Sequence, residues 1–315
     1  MKTIILGKRS YLSNKLKLNI PSSILYNLKE FKDFYINNRK KFNLIINIFY
    51  PSSKLSSIDS YQNFFNLSVN NLSLVLDGLN HKYVNKVIYT SSSSIYGSIN
   101  EHSYSDDNNN RQLYSSTKLL NEITLNNFCK KKKIQLIITR LFNMYGSNEN
   151  FSIVHKLIKN VKAKKKITIY NNGESIRDFI HVNDVCKIYA KLLNSRESNI
   201  YDVGSGYGTK IRDIINYLKI PKNKLVFSKK KINEITSSVA NISKINKIID
   251  NKKFIKVEDF LKKEIKKDLK GEILNKTSKT LVNTINKHIN GSIIYGCGFA
   301  GKRIAKKLIR LNENS

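Results

Sequence analysis

The chain has 315 residues and a formal charge of +33, and hydrophobic residues make up 40% of it. This length suffices for one large domain or two modest ones. No apolar run approaches the roughly eighteen residues of a membrane span, and the N-terminus carries no signal-peptide pattern. The three cysteines are isolated and odd in number, which favours neither disulfides nor a metal site. We therefore expect a soluble, cytoplasmic protein with no membrane partner.

The positive charge comes almost entirely from lysines, which are spread through every segment among abundant Asn and Ile. Short lysine runs such as 130–133 lack the interleaved aromatic residues that stack on nucleic-acid bases. This distribution is typical of solvated helix faces, so we do not expect a nucleic-acid partner. A positive surface would still attract a diphosphate ligand.

Apolar strands alternate with helices along the first half of the chain. The predicted strands are Ile4–Leu6, Ser23–Tyr26, Asn43–Phe49, Lys86–Ser91 and Gln135–Leu141. The predicted helices begin near Tyr11 and then cover Leu28–Lys41, Tyr61–Leu79 and 113–131. Such alternation predicts an α/β fold with a doubly wound parallel sheet, whose binding crevice lies at the carboxyl ends of the strands.

The pattern loosens after Gly146. A helix near Ile153–Lys164, a strand Ile167–Tyr170 and a helix that ends at Leu193 are predicted there. We expect residues 1–146 to form a dinucleotide-binding domain to which 176–206 return. Residues 147–270 are expected to form a smaller α+β substrate lobe.

Tyr114 and Lys118 lie one helical turn apart, and Ser92 ends the preceding apolar strand. A phenol that titrates near pH 10 needs a close cation to act as an acid or base near neutrality. Lys118 can supply that charge, and Ser92 can hydrogen-bond the reacting oxygen. A Tyr-x-x-x-Lys pair alone is commonly only a surface pair, but the strand, the serine cluster and the helix in this order favour an active site.

Four segments together give the chain a wider resemblance. They are Ser91-Ser-Ser-Ser-Ile-Tyr-Gly97, Tyr114-Ser-Ser-Thr-Lys118 with Glu122, Thr139-Arg-Leu-Phe-Asn-Met-Tyr-Gly146, and Gly173-Glu-Ser-Ile-Arg-Asp-Phe-Ile-His-Val-Asn-Asp184. The chain resembles the extended short-chain dehydrogenase/reductase family, in its nucleotide-sugar epimerase/dehydratase/reductase branch. The resemblance implies a Rossmann-like domain and a catalytic Tyr114. It also implies that Lys118 lowers the pKa of Tyr114 and holds the cofactor ribose, and that Ser92 binds the sugar oxygen.

The same resemblance suggests substrate contacts. Asn143 and Arg177 fall where relatives contact the nucleotide diphosphate, although Asn143 could simply end a strand and Arg177 could pair with a nearby aspartate. Relatives that dehydrate their sugar carry an Asp-Glu pair where this chain has Ser93 and Ser94. Hydroxyls cannot easily replace those groups, so Ser93 is expected to contact substrate and no dehydratase is expected.

The resemblance therefore implies an epimerase or 4-ketoreductase that acts on a nucleotide-diphosphate sugar, in surface-polysaccharide synthesis. Homodimerisation through the 61–79 and 113–131 helices would be usual for the family. A binding or regulatory protein that keeps the fold without the cofactor remains the alternative.

The cofactor turn departs from the family pattern. Relatives have G-x-x-G-x-x-G, whereas this chain has Gly7-Lys-Arg-Ser10-Tyr-Leu-Ser13. Gly7, Ser10 and Ser13 are the expected phosphate contacts. Lys8 and Arg9 either supply compensating charge or indicate binding of the 2′-phosphate of NADP. Tyr26 and Asn27 replace the expected acidic ribose ligand, so the cofactor is predicted as NAD or NADP. A bulky Phe49-Tyr50 pair replaces two expected alanines.

A second glycine motif lies in Ser292–Leu308, where Gly296, Gly298 and Gly301 are spaced as G-x-G-x-x-G between a predicted strand and a predicted helix. A single strand and helix cannot build a dinucleotide crevice. Residues 275–315 are therefore interpreted as the opening of a second, incomplete Rossmann unit, as a docked appendage, or as support for the weak first turn.

Overall fold

The computed structural model describes residues 1–55, 58–98, 109–228, 236–249 and 254–265. Its strands are Lys2–Leu6 (β1), Ser23–Tyr26 (β2), Phe42–Ile46 (β3), Val84–Ser92 (β4), Gln135–Leu141 (β5), Asn143–Tyr145 (β6), Ile167–Ile169 (β7), Ile176–His181 (β8), Asn199–Val203 (β9), Gly208–Lys210 (β10), Leu225–Phe227 (β11) and Ser237–Ser238 (β12).

The helices between these strands are Tyr11–Asn19 (α1), Leu28–Asn37 (α2), Tyr61–Phe65 (α3), Asn71–Gly78 (α4), Ile95–Ser98 (α5), Asn109–Lys132 (α6), Ile153–Lys162 (α7), Val182–Asn194 (α8), Ile211–Tyr217 (α9) and 257–265 (α10). Ser10 caps the start of α1, and its hydroxyl accepts a hydrogen bond from the Ser13 amide. Asn27 and Glu30 form a reciprocal capping box at the start of α2.

Six parallel strands form the main sheet in the order β2-β1-β3-β4-β5-β9. Strand residues alternate between two buried clusters, so both faces of the sheet are covered. One cluster contains side chains of α1 and α8, and the other contains side chains of α2, α4 and α6. The predicted α/β fold with a Rossmann-like parallel sheet is confirmed.

A second, mixed sheet is centred on β8, which pairs with β6, β10 and β12. Asp178 in β8 is fully buried and accepts hydrogen bonds from the amides of Ser205, Gly206 and Ala240. One carboxylate thus joins three segments that are distant in sequence. This sheet carries both residues that were predicted to contact the nucleotide.

A third buried cluster contains side chains of α7, β7, α9 and 257–265. All of these elements lie in the stretch predicted as the substrate lobe. Residues 1–264 form one compact unit, and the division into a cofactor domain and a lobe stays a prediction. The predicted appendage at 275–315 lies outside the described residues.

The structure differs from the sequence prediction at two places near the crevice. The third strand ends at Ile46 and not at Phe49, because the chain leaves the sheet at Asn47. The helix predicted over Tyr61–Leu79 is interrupted by a π-helical turn at Asn66–Asn70. A π-helical turn contains about one residue more than an α-helical turn, and the hydrophobic pattern of the sequence does not reveal that insertion.

Lys86 is a buried cation that closes the end of a helix, so its removal should destabilise the fold. Its Nζ donates hydrogen bonds to the carbonyls of Leu192 at 3.1 Å and Ser195 at 2.6 Å, at the C-terminus of α8. We expect Lys86→Met to lower the free energy of unfolding by about 2–3 kcal/mol, because carbonyls are left unpaired. Urea denaturation measures this, and exposed Lys82→Met should change it by less than about 0.5 kcal/mol. Equal effects of the two variants would contradict the prediction.

Candidate active site

The three predicted catalytic side chains meet at the carboxyl end of β4. Ser92 is the last residue of that strand, and Tyr114 lies near the start of α6. The Ser92 hydroxyl lies near enough to the Tyr114 side chain to act on its pKa, which it lowers. Ser94 also donates to the Ser92 Oγ, from its amide at 3.2 Å and from its hydroxyl at 3.0 Å. Two hydroxyl groups and a phenol therefore converge beside the sheet.

Lys118 lies one turn beyond Tyr114, and its ammonium is enclosed by protein. The Nζ donates a 2.8 Å hydrogen bond to the Thr90 carbonyl and lies 3.9 Å from the centre of the Phe49 ring. Burial lowers the pKa of Lys118 to about 7, although the nearby Glu122 carboxylate opposes this shift. The side chain therefore titrates in the neutral range and not near its usual value.

Tyr114 does not show the lowered pKa that the resemblance implied. Burial raises its pKa to about 12, and the nearby Ser92 hydroxyl only partly opposes that shift. The Lys118 Nζ lies 6.0 Å from the centre of the Tyr114 ring and donates to a backbone carbonyl. Because desolvation outweighs the charge at this separation, Tyr114 holds its proton at neutral pH.

An ion pair that the sequence analysis did not identify holds α6 against β5. Arg140 makes a bidentate contact with Glu122, with Nε–Oε1 at 3.1 Å and Nη2–Oε2 at 2.7 Å. Glu122 is one turn beyond Lys118 and is almost completely buried. The guanidinium also lies 4.8 Å from the centre of the Tyr96 ring. The pair fixes α6, and therefore the catalytic side chains on it, relative to the sheet. The sequence places Glu122 on a predicted helix and Arg140 on a predicted strand, but no local pattern in it indicates that the two form a pair.

The predicted substrate contacts are placed beyond this group. Leu141 is the register partner of Ser92 and is followed, after one residue, by Asn143. The Asn143 side chain donates a 2.9 Å hydrogen bond to the Asp178 carbonyl, which adjoins Arg177. The structure therefore brings Asn143 close to Arg177. The Arg177 Nη1 donates to the Ile176 carbonyl at 2.8 Å.

The aspartates that could have paired with Arg177 are held by other groups. Asp178 accepts from backbone amides, and Asp184 contacts Lys187 and the Ile255 amide. Ser93 follows β4 in a half-buried turn, and its amide donates to the Leu141 carbonyl at 3.0 Å. Ser93 therefore lies at the carboxyl end of β4, in the same turn as Ser94.

The turn after β1 retains the parts of a phosphate site. Gly7 has φ of +128°, and a Cβ there would lie 2.3 Å from the Asn47 carbonyl oxygen, so glycine is required. Ser10 begins α1, whose first amides face the end of the strand as an anion site requires. The Asn47 amide donates to the hydroxyls of Ser10 at 2.7 Å and Ser13 at 2.8 Å. Ser10 is half-buried at the start of α1, whereas Ser13 is fully buried.

The first turn of α2, just after β2, holds a carboxylate that the sequence analysis missed. Glu30 accepts from the Asn27 amide at 2.8 Å and from the exposed Lys8 ammonium at 2.6 Å. An acid is therefore present near the place where the ribose ligand was expected, in a capping box. The Asn-x-x-Glu spacing was the available signal. Lys8 forms an exposed ion pair with this carboxylate.

Phe49 occupies the space between the two ends of the expected cofactor site. Its ring packs edge-on against Tyr114, with centroids 5.0 Å apart, while the Lys118 ammonium lies over it. The neighbouring Tyr50 is buried in the core. The turn at Gly7 and the pair of Tyr114 and Lys118 fit the two ends of a dinucleotide, and the Phe49 ring packs against the second of these groups.

Within the described ranges, no helix is both long and apolar enough to cross a membrane. The same part of the chain contains no cluster of three or more His, Cys, Asp or Glu side chains that could hold a metal ion.

The buried ammonium of Lys118 should make the stability of the fold depend on pH. Its pKa is about 7 in the fold and 10.5 ordinarily, so between these values the unfolded chain binds a proton that the folded chain does not. The free energy of unfolding should therefore rise as the pH increases from 7 towards 10. Urea denaturation across this window should show a smaller rise for Lys118→Met. Lys130→Met, which removes an exposed lysine from the same helix, should keep the wild-type slope. A wild-type slope in Lys118→Met would refute the assignment.

Several named proteins are similar in sequence to part of this chain. The curated relatives include UDP-glucose 4-epimerase of Mycoplasma genitalium, which is 27% identical over 55% of this chain and 59% of the relative. Another is dTDP-D-glucose 4,6-dehydratase of Dictyostelium discoideum, which is 28% identical over 65% of this chain and 52% of the relative. The chain thus spans between about half and three fifths of the length of these relatives.

Solved structures share the architecture at low identity. The UDP-glucose 4-epimerase of Thermus thermophilus in complex with NAD has a TM-score of 0.70 at 16% identity, over 84% of this chain and 98% of that one. The UDP-N-acetylglucosamine 4-epimerase of Methanobrevibacter ruminantium has a TM-score of 0.67 at 18% identity, over 86% of this chain and 98% of that one.

The family assignment rests on the sequence pattern. The pattern of the NAD dependent epimerase/dehydratase family matches residues 25–204, which is more than half of the chain. NAD is the cofactor of this family, in agreement with the cofactor class predicted from the sequence. The sequence match, the parallel sheet and the Ser92–Tyr114–Lys118 group agree with one another, and the chain belongs to the NAD dependent epimerase/dehydratase family.

Proposed function

We propose that this protein transfers hydride to and from a carbon of a nucleotide-diphosphate sugar, as an NAD(P)-dependent epimerase or 4-ketoreductase. The observation that carries the proposal is the convergence of Ser92 and Tyr114 at the carboxyl end of β4, with Lys118 one turn further along α6. A phenol paired with a hydroxyl and a nearby ammonium suits proton exchange with an alcohol or ketone.

Each side chain has a separate task in this proposal. The bound nicotinamide supplies or accepts the hydride. Tyr114, whose pKa is about 12, retains its proton at neutral pH and donates it to the oxygen of a ketone. In the opposite direction the phenolate accepts the alcohol proton, and a protonated Lys118 stabilises that phenolate in a medium of low dielectric. Ser92 hydrogen-bonds the same sugar oxygen and orients it towards Tyr114.

Elimination of water is the reaction that these residues do not favour. Ser93 and Ser94 stand where dehydrating relatives carry an acid and a base, and Ser94 donates to Ser92. Hydroxyl groups with ordinary acidity are poor catalysts of that step. Oxidation and reduction at one carbon remain, either with return of the hydride to the other face or with a single delivery.

The substrate is proposed from the polar groups of the second sheet. Arg177 suits a diphosphate because a guanidinium binds phosphate oxygens in a bidentate manner, and Asn143 adjoins it. Two solved structures of similar fold are named as epimerases of UDP-sugars. We therefore propose a UDP-sugar as the substrate. We further propose a role in surface-polysaccharide synthesis and a cytoplasmic location. The buried free thiols of Cys129 and Cys186 agree with that location.

A non-catalytic binding protein on the same fold is the second candidate, and the position of the Phe49 ring favours it. Denaturing the purified protein and identifying any released dinucleotide separates the candidates. Retained NAD supports an epimerase, which recycles its own hydride. If none is retained and no dinucleotide binds when added, the second candidate is supported.

Tyr114→Phe should abolish turnover without loss of the fold, because the phenol oxygen is the proton carrier. We expect kcat to fall roughly a hundredfold to ten-thousandfold, the usual contribution of a general acid. Turnover of UDP-sugars with NAD or NADP is the measurement, and circular dichroism checks the fold. Tyr217→Phe, at a half-exposed tyrosine of α9, should leave kcat unchanged. Unchanged kcat in Tyr114→Phe would refute the mechanism.

We also propose a homodimer through the α3–α4 and α6 helices. In the part of the chain that the structure describes, these helices carry exposed apolar side chains, namely Tyr61, Phe65, Leu74, Leu120 and Ile123. A patch of this kind is typical of an interface between subunits. Sedimentation velocity should show a dimer that Leu120→Asp together with Ile123→Asp converts to a monomer. Leu18→Asp, at a more exposed leucine of α1, should remain a dimer. A monomeric wild type would contradict the proposal.

A further inference from the structure

The order of the strands dictates the path that a dinucleotide must take. Its phosphates belong at the start of α1, which follows β1. Its nicotinamide belongs beside Tyr114, because hydride and proton must leave neighbouring atoms of the sugar. The strand β3 lies between β1 and β4 in the sheet. A dinucleotide that joins the two ends therefore crosses the carboxyl end of β3.

Three residues, Asn47, Ile48 and Phe49, follow β3 at this crossing point. The Asn47 side chain reaches towards the phosphate end, where it donates to Ser10 and Ser13. Phe49 reaches towards the reacting end. Its ring meets that of Tyr114 at 85° with centroids 5.0 Å apart, and the Lys118 Nζ lies 3.9 Å from its centre.

Phe49 contacts Tyr114 and Lys118, which are the two residues that the nicotinamide half of the cofactor is proposed to contact. An ammonium packed over an aromatic ring is a favourable cation–π arrangement, and it is stronger away from water. The aromatic edge-on pair adds to it. A nicotinamide riboside that enters beside Tyr114 and Lys118 must therefore displace the Phe49 ring and replace both contacts.

The local structure permits that displacement. Phe49 is only partly buried and lies after the end of its strand, whereas its neighbour Tyr50 is 3% exposed and is anchored in the core. The Tyr50 ring packs on Phe64 of α3, with centroids 5.1 Å apart. A change of rotamer at Phe49 can therefore open the space without moving β3.

We propose that Phe49 is a gate on the nicotinamide side of the site, which closes over Lys118 in the free protein and opens when the cofactor binds. The inference rests on the proposed function, since it assumes that a dinucleotide is bound here. A site that is open in only a fraction of molecules binds its ligand more weakly by that fraction. Phe49 thus sets the cofactor affinity although it supplies no hydrogen bond.

Binding of NAD to wild type, Phe49→Ala and Phe227→Ala, followed by isothermal titration calorimetry, tests the gate. Phe227 is an exposed phenylalanine of β11 and serves as the matched control. We expect Phe49→Ala to bind NAD about tenfold or more tightly than wild type, as a minor open state of about a tenth or less requires. Phe227→Ala should match wild type. ADP, which lacks the nicotinamide riboside, should bind all three proteins equally.

Each other outcome overturns the gate. Equal NAD affinity in wild type and Phe49→Ala overturns the gate alone, and the proposed function then stands on its turnover test. An equal gain for ADP and NAD would place the effect outside the nicotinamide side. If neither protein binds NAD or NADP, the gate and the proposed function fail together. Phe49→Leu gives a second, better-packed variant, and thermal unfolding verifies that each variant is folded.

Discussion

The burial of the Lys118 ammonium is the constraint on which the rest of the site depends. A cation taken from water needs compensation, and here it comes from the Thr90 carbonyl at 2.8 Å and from the rings of Phe49 and Tyr89. These partners belong to β4 and to the end of β3, while the lysine belongs to α6. One charge therefore links the helix to two neighbouring strands at their carboxyl ends. The proximity of Ser92 to Tyr114 is a consequence of that link.

Other ionic and polar contacts support the same edge of the sheet. Arg140 and Glu122 hold the middle of α6 against β5, and Lys86 closes α8 at the opposite end of β4. Buried charges of this kind are costly unless they are fully paired, and each of these has hydrogen-bonding partners. These contacts fix α6 and α8 to the two ends of the sheet. The positions of the side chains that follow β4 are fixed in the same way.

The cofactor half of the site shows where inference from motifs reaches its limit. The glycine pattern is degenerate, yet Gly7 still has the positive φ that its close approach to Asn47 requires. The acid expected at the end of β2 is absent, and Glu30 lies nearby in the first turn of α2, where it forms a capping box with Asn27. The raised pKa of Tyr114 shows that a lysine one helical turn away does not by itself lower the pKa of a tyrosine, because burial in the folded protein decides the shift.

The sequence by itself determined the alternation of strands and helices, the parallel sheet and the placement of Ser92 at a strand end. Those features follow from hydrophobic periodicity and from local turn and helix preferences, which a single chain segment carries. Only the tertiary structure decided that β3 stops at Ile46, that Arg140 pairs with Glu122, and that the Phe49 ring packs against both Tyr114 and Lys118. The reason is physical, since these depend on contacts between segments distant in sequence, whose distances and desolvation no local pattern encodes.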